Sequence, residues 1–315
     1  MIAVNDRSAL ARWAEPGLAE RLAGPVAFSG DWSTSLADVR DEDALRAARL
    51  EATPERPLHV LVSSADRRIR SSRVVSHVWS TPLPDDAFYQ LTPTVLLASP
   101  SFCLQGMSAG TGLVGATVSA MEICGSYARS PWAKDGFFER PPLADLDELR
   151  AHFEETHSYG AKQARRALSH VTVGSRSPME TVVVLFFTLP LKMGGCGLPA
   201  PLLNVRLEIP PDLRAAIRRP YVVVDLCWLD QRVILEYDSY RWHSTPAAVD
   251  SDSTRNEGLR DEGWMVRSVT SGILKNDAMR RLLVSRVMGR FGRKPPSGPA
   301  FDRLQTDLVR DLLSC

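Results

Sequence analysis

The chain has 315 residues, with 44% hydrophobic and 24% charged residues and a formal net charge of +1. These fractions are ordinary for a globular protein, the length suits two domains or one large one, and the near-zero charge excludes a globally basic nucleic-acid binder. Five scattered cysteines without a C-x-x-C pair argue against a disulfide framework or a structural zinc site, and for a reducing compartment. No apolar signal-peptide segment follows the N-terminus. The longest apolar run, Val182 to Leu191, is too short for a bilayer and contains Pro190. The expectation is a soluble cytoplasmic protein with no membrane partner.

Residues 1–40 show no long period, because Gly17, Gly24, Pro25 and Gly30 interrupt them. Asp41 to Ala52 reads as a helix, Leu58 to Val62 as a strand, and Arg67 to Arg73 as a basic loop. Val74 to Trp79 and Val95 to Ala98 read as two further strands. Ser99-Pro100 then opens a helix to about Met107, and a second helix follows Gly112 through Met121. His59 and His77 fall within strands and read as structural. Ser130 to Leu143 carries three prolines and no period, so the domain boundary is expected there: 1–143 and 144–315.

Beyond it, Asp145 to Thr156 and Ala161 to Ser169 read as helices. Ser177-Pro178-Met179-Glu180 is a helix start with a capping box, the helix reaching about Leu189. Pro201 to Ile209 is extended, and Tyr221 to Asp238 reads as a hairpin. Asp250 to Asp261 is a helix closed by Gly263, Trp264 to Val269 a strand, and Leu274 to Phe291 a basic helix. The expected class is an α+β N-terminal region followed by an α/β domain whose mixed sheet carries flanking helices.

The hairpin is unusual because acids interrupt apolar arms. A reversal centred between Asp230 and Gln231 puts Asp225 opposite Glu236, with Cβ atoms about 5 Å apart, and Asp238 on the same face. Like charges there repel. Either a divalent cation such as magnesium lies between them, or the face is solvated. Glu180 reads as a capping residue of its helix. Arg280, Arg281, Arg286 and Arg290 make either a solvated helix face or a contact to a DNA backbone.

Glu180, Asp225-Leu226, Glu236-x-Asp238 with His243, Asp252-x-x-Arg255-x-x-x-Leu259 and Gly263-Trp264-x-x-Arg267 follow one another in order. This series resembles the PD-(D/E)XK nuclease superfamily, in its branch related to very-short-patch-repair (Vsr-like) endonucleases. The resemblance covers roughly residues 175–270. It implies a restriction-endonuclease-like fold and a Mg2+-dependent (or Mn2+-dependent) DNA endonuclease. Glu180, Asp225, Glu236 and His243 would be catalytic, Asp225, Glu236 and Asp238 would hold the metal, and Arg255 and Arg267 would bind phosphate. Leu58-His-Val-Leu-Val62, Val75-Ser-His-Val-Trp79 and Ala98-Ser-Pro100 resemble the region preceding such modules in relatives of AbiEi-type abortive-infection antitoxins. That implies a toxin–antitoxin setting in which the first domain contacts DNA or a protein partner.

Asp238 stands where the superfamily places a lysine, Ser239 where glycine is usual, and Arg267 comes one residue early. These departures keep a second function in play: a catalytically silent DNA-binding regulator that retains the nuclease fold.

Overall fold

Short polar side chains start the helices where the sequence places them. Asp41, Ser99, Asp145 and Ser177 each accept backbone N–H groups of the first turn they precede. Pro100 and Pro178 occupy first-turn positions, where a missing N–H costs nothing. The computed structural model describes all residues except 29, 131–132, 210–213, 215–219, 239–254 and 315. Helices and mixed sheets together make an α/β architecture. The chain divides into two units, Met1–Val171 and Thr172–Cys315. No helix among the described residues is long and apolar enough to cross a membrane.

The first unit is built on a mixed sheet of β1 (Ile2–Val4), β2 (Pro25–Val26), β3 (Leu58–Val62), β4 (Val74–Val78), β5 (Phe88–Thr92) and β6 (Val95–Ala98), in the order β2-β5-β6-β1-β3-β4. β1 runs parallel to β6 and β3 parallel to β4, while β1 and β3 are antiparallel. The sheet's apolar residues are almost entirely buried, with α1 (Asp6–Trp13) and α4 (Pro100–Gly110) packed together beside them. β1 and α1 lie in the stretch that shows no period in the sequence. They are short, and an isolated three-residue strand leaves no alternation to read.

The division falls at Val171, not at 143. Tyr127–Arg129 pairs with Phe137–Glu139, and buried Arg140 donates to the carbonyls of Glu122 and Gly125 at 2.9 and 3.4 Å. Thus the proline-rich segment is fastened to the first unit. α7 (Ala161–Leu168) then packs with α4 and with α5 (Leu113–Cys124), and α6 (Leu146–Glu155) packs on α7. Gln105 on α4 donates to Ser158 Oγ and to the Tyr159 carbonyl, at 2.7 and 2.9 Å. Gly160, with φ +89°, sits so close that a Cβ there would lie 2.2 Å from the Gln105 carbonyl oxygen. Gly160→Ala should therefore destabilise this unit by about 3 kcal/mol or more, combining left-handed strain with a backbone collision. A urea-unfolding midpoint equal to wild type would contradict this close approach.

The second unit opens with α8 (Pro178–Thr188), which is apolar nearly all round and buried. Next come β9 (Leu202–Glu208), β10 (Tyr221–Trp228) and β11 (Val233–Tyr237), an antiparallel meander. A helix over 255–261 leads to β12 (Met265–Val269), which lies parallel to β11. The sheet order is β12-β11-β10-β9. From α8 to β12 the order of elements is the one expected from the sequence.

So is the hairpin register, in which Trp228, Cys227 and Leu226 pair with Val233, Ile234 and Leu235. Asp230-Gln231 is a poor two-residue turn. It serves here because the loop has four residues: the Arg232 N–H closes on the Leu229 carbonyl at 3.1 Å, and Arg232 itself takes φ +50°. Gly263, at φ +83°, ends the helix over 255–261 as expected.

The basic segment is two helices, Ser271–Lys275 and Asp277–Arg290, split by Asn276, which caps the second. Its Arg280 is not on a solvated face. It is 2% exposed and bonds Asp277, the Leu274 carbonyl, Gln305 and Thr306, the latter two on the terminal helix Pro299–Ser314.

Candidate active site

The sheet is irregular where the acids are. On β9, Asn204 takes φ +50°, and the β9–β10 pairing passes from Val224–Val205 to Leu226–Leu203 without a pair between. Val224 and Cys227, three residues apart, both enter the same apolar cluster. Regular strands bring residues two or four apart to one face, so the alternation slips by one at Asp225. There the side chain replaces the ladder: Asp225 Oδ2 accepts the Tyr237 N–H at 2.8 Å.

The turned Asn204 amide donates to Glu180 Oε2 at 2.7 Å and to the Gly174 carbonyl at 3.0 Å. Glu180 Oε2 also accepts the Arg176 N–H at 2.8 Å, and its own N–H goes to Ser177 Oγ at 3.1 Å. The expected capping box is thus present with its return arm shifted one residue outward, to Arg176 instead of Ser177. Glu180 fulfils the cap reading.

Burial pushes the Glu180 carboxyl above its ordinary range. The Arg176 and Asn204 donors oppose this, and the nearby Asp225 carboxylate adds to it. Asp225 is also raised, chiefly by burial, against the Tyr237 N–H and the Arg255 charge. Burial thus makes both acids hold their protons more tightly than in water, and at Glu180 the Asp225 carboxylate adds to the effect.

Glu236 is engaged differently. Arg255 Nη2 lies 2.5 Å from Glu236 Oε2, with side chains 19% and 17% exposed. Asp238 prolongs the β11–β12 ladder, its N–H reaching the Val269 carbonyl at 3.0 Å. Among the described residues, Glu180, Asp225, Glu236 and Asp238 do not bring three ligand oxygens within 4.8 Å of one another. Of the expected metal set Asp225, Glu236 and Asp238, Glu236 is paired with Arg255. His243 lies outside the described residues, as do Trp242 and Asp252. Asn204 is the site residue the sequence reading passed over. Its signal was an amide inside the apolar run Leu202-Leu-Asn-Val205, where asparagine is disfavoured in a regular strand but tolerant of left-handed backbone.

Arg267, on β12, is half-buried, and its Nε has no hydrogen-bond partner among the described residues. Burial lowers its proton affinity, and the positive charges of Arg286 and Arg260 lower it further. Arg286 and Arg260 thus both act on Arg267, and an anion there would relieve that repulsion.

Replacing Arg255 tests the electrostatics. Arg255→Met leaves Glu236 and Asp225 without that cation and should cost about 1–3 kcal/mol at neutral pH. The loss should shrink in acid, where the carboxylates protonate. A pH-independent loss in urea unfolding would mean that the side chain acts through packing alone.

Two uncharacterized proteins of Mycobacterium tuberculosis are similar to part of this chain. They are MT2308 of strain CDC 1551 / Oshkosh and Rv2248 of strain ATCC 25618 / H37Rv. Each is 31% identical over 75 residues, 24% of this chain and 27% of the relative. The chain thus matches about a quarter of the length of these relatives, whose names specify no activity. No family model and no solved structure matches the chain.

Proposed function

We infer that residues 172–315 work as a Mg2+-dependent DNA endonuclease module of the PD-(D/E)XK, Vsr-like type, with a restriction-endonuclease-like fold. The observation that carries this reading is the pairing of Glu180 and Asp225, from the start of α8 and the slipped position of β10. The order α8, three antiparallel strands, helix and a parallel fourth strand supports it, being the arrangement the resemblance implies. So does the positive charge that Arg260 and Arg286 bring to bear on Arg267, in a chain of net charge +1.

The donor set suits a hard cation: two carboxylates whose ionised forms are disfavoured by burial, the number Mg2+ commonly takes before adding water and phosphate oxygens. Glu180 and Asp225 would hold the ion, which when bound supplies Lewis-acid polarisation of a phosphate and a more acidic water. Asn204 fixes the Glu180 carboxylate, and the Tyr237 N–H fixes that of Asp225. Arg267 and its neighbours would take phosphate charge, while Arg255 is divided between Glu236 and any phosphate that approaches. The first unit would bind DNA or a protein partner, as in antitoxin-like proteins.

The Arg255–Glu236 pair favours a second reading, a DNA-binding regulator without turnover. It engages one acid of the expected metal set with a guanidinium. Supercoiled and linear DNA incubated with the chain and Mg2+ or Mn2+ decides between them. Nicking abolished by chelator supports the nuclease. Salt-dependent binding that ignores chelator, with no cleavage, supports the regulator.

A further inference from the structure

His59 and His77 are 18 residues apart, on neighbouring strands. Leu61 pairs with His77 and His59 with Val75 in the parallel β3–β4 ladder. Partners in a ladder share a face, and so do residues two apart, so both imidazoles project from one face of the sheet. Asp6 reaches the same point from the start of α1. His59 Nδ1 and His77 Nε2 are 2.9 Å apart. Asp6 Oδ1 is 3.3 Å from His59 Nδ1, and Asp6 Oδ2 is 4.0 Å from His77 Nε2.

A hydrogen bond between the rings accounts for the first distance only. The other two exceed the roughly 2.7–2.9 Å of a charge-assisted hydrogen bond. The Asp6–His59 separation suits donors around one ion, since ligands about 2.0–2.1 Å from a tetrahedral centre are about 3.3 Å from one another, and Asp6, His59 and His77 each offer a ligand atom within 4.8 Å of the others. The backbone is set for this convergence. Asp6 holds φ +54°, a conformation that costs an L-residue energy and that surrounding structure must maintain. The Asn5 N–H donates to the His59 carbonyl at 3.0 Å, and the His59 N–H donates to Ser8 Oγ at 2.9 Å. Asp6 is thereby clamped beside His59 from both flanks.

We propose that Asp6, His59 and His77 form a binding site for a divalent transition ion of the zinc class in the first unit, with one coordination position open. Two imidazoles and a carboxylate suit Zn2+ and related ions rather than Mg2+ or Ca2+, which prefer oxygen alone. Three protein ligands leave room for water or a substrate atom, and the side-chain exposure of 30% at His77, against 9% at Asp6, places the opening at β4. This site is independent of the acids of the second unit.

The test uses the full chain, stripped with chelator and titrated with Co2+ and then Zn2+. The expected result is one equivalent of Co2+ with visible absorption, displaced by Zn2+ and retained in an Asp225→Asn, Glu180→Gln background. His77→Gln and His59→Gln should each weaken uptake by on the order of 10²-fold or more, since even outer-shell changes cost tenfold to a hundredfold. His77, the more exposed, is the variant expected to fold normally, checked by its melting curve. No uptake by the wild type, or uptake unchanged in both histidine variants, overturns the proposal.

Discussion

Asp225→Asn is expected to lose DNA cleavage by on the order of 10³-fold or more while melting at or above the wild-type temperature. The two effects share one cause. The Asp225 carboxyl is pushed up chiefly by burial, and its charge in turn helps to push up the neighbouring Glu180. Folding therefore favours the protonated forms. From the ordinary carboxylate range up to the raised folded values, the native state binds more protons than the unfolded chain. Stability must then fall as pH rises through that window, and the deficit persists at neutral pH. Asparagine removes the charge but leaves an oxygen to accept the Tyr237 N–H, so the fold keeps its hydrogen bond and loses its repulsion. A cation offsets the same repulsion, so Mg2+ should raise the melting temperature of the wild type more than that of the variant.

Glu180→Gln should behave likewise, with a smaller stability gain, because its Oε2 is held by two donors. Paired measurements of cleavage and of melting at acid and neutral pH check both halves. Cleavage undiminished in Asp225→Asn removes Asp225 from the catalytic site. A variant less stable than wild type at neutral pH contradicts the electrostatic account.

What the sequence disclosed follows the range of the interactions involved. Ser177-Pro178 and Asp145 announce their helices because capping is settled within four residues. The hairpin register was legible because two apolar arms can meet in only one way without turning their buried faces outward. The slip at Asp225 was not legible, since it depends on Asn204, a residue from another strand. Nor was the pairing of Glu236 with Arg255, which ties a strand to the helix that follows it. Asp6, His59 and His77 look unrelated in the chain. Only the crossing of β1, β3 and β4 brings them together. The strand Phe88–Thr92 went unread because its pairing shifts register between Gln90 and Thr92, which breaks the two-residue period.

The domain boundary carries the other large effect. A fragment of residues 1–171 is expected to unfold cooperatively, and a fragment of residues 1–143 to have no cooperative transition. Pro141 and Pro142 invite a cut at 143 in sequence terms, yet the Leu143 N–H donates to the Ile123 carbonyl at 2.8 Å and the following helices complete the unit. Leu149, Phe153 and Leu168 are exposed by only 2%, 0% and 1%, and Ala161, Ala164 and Ala167 not at all. Each large apolar side chain contributes about 1.5–3 kcal/mol when fully buried, so three of them approach the roughly 5–15 kcal/mol that holds a whole domain together. Cutting at 143 removes that contribution. It also uncovers the faces of α4 and α5 that α7 covers, and strips Gln105 of its bonds to residues 158 and 159. The complementary fragment 144–315 would carry two helices separated from those partners, and should associate at concentrations where 172–315 stays monomeric. Circular dichroism melts and size-exclusion profiles of the four fragments report the outcome. A fragment 1–143 that melts as sharply and at the same temperature as 1–171 would return the boundary to the proline-rich segment.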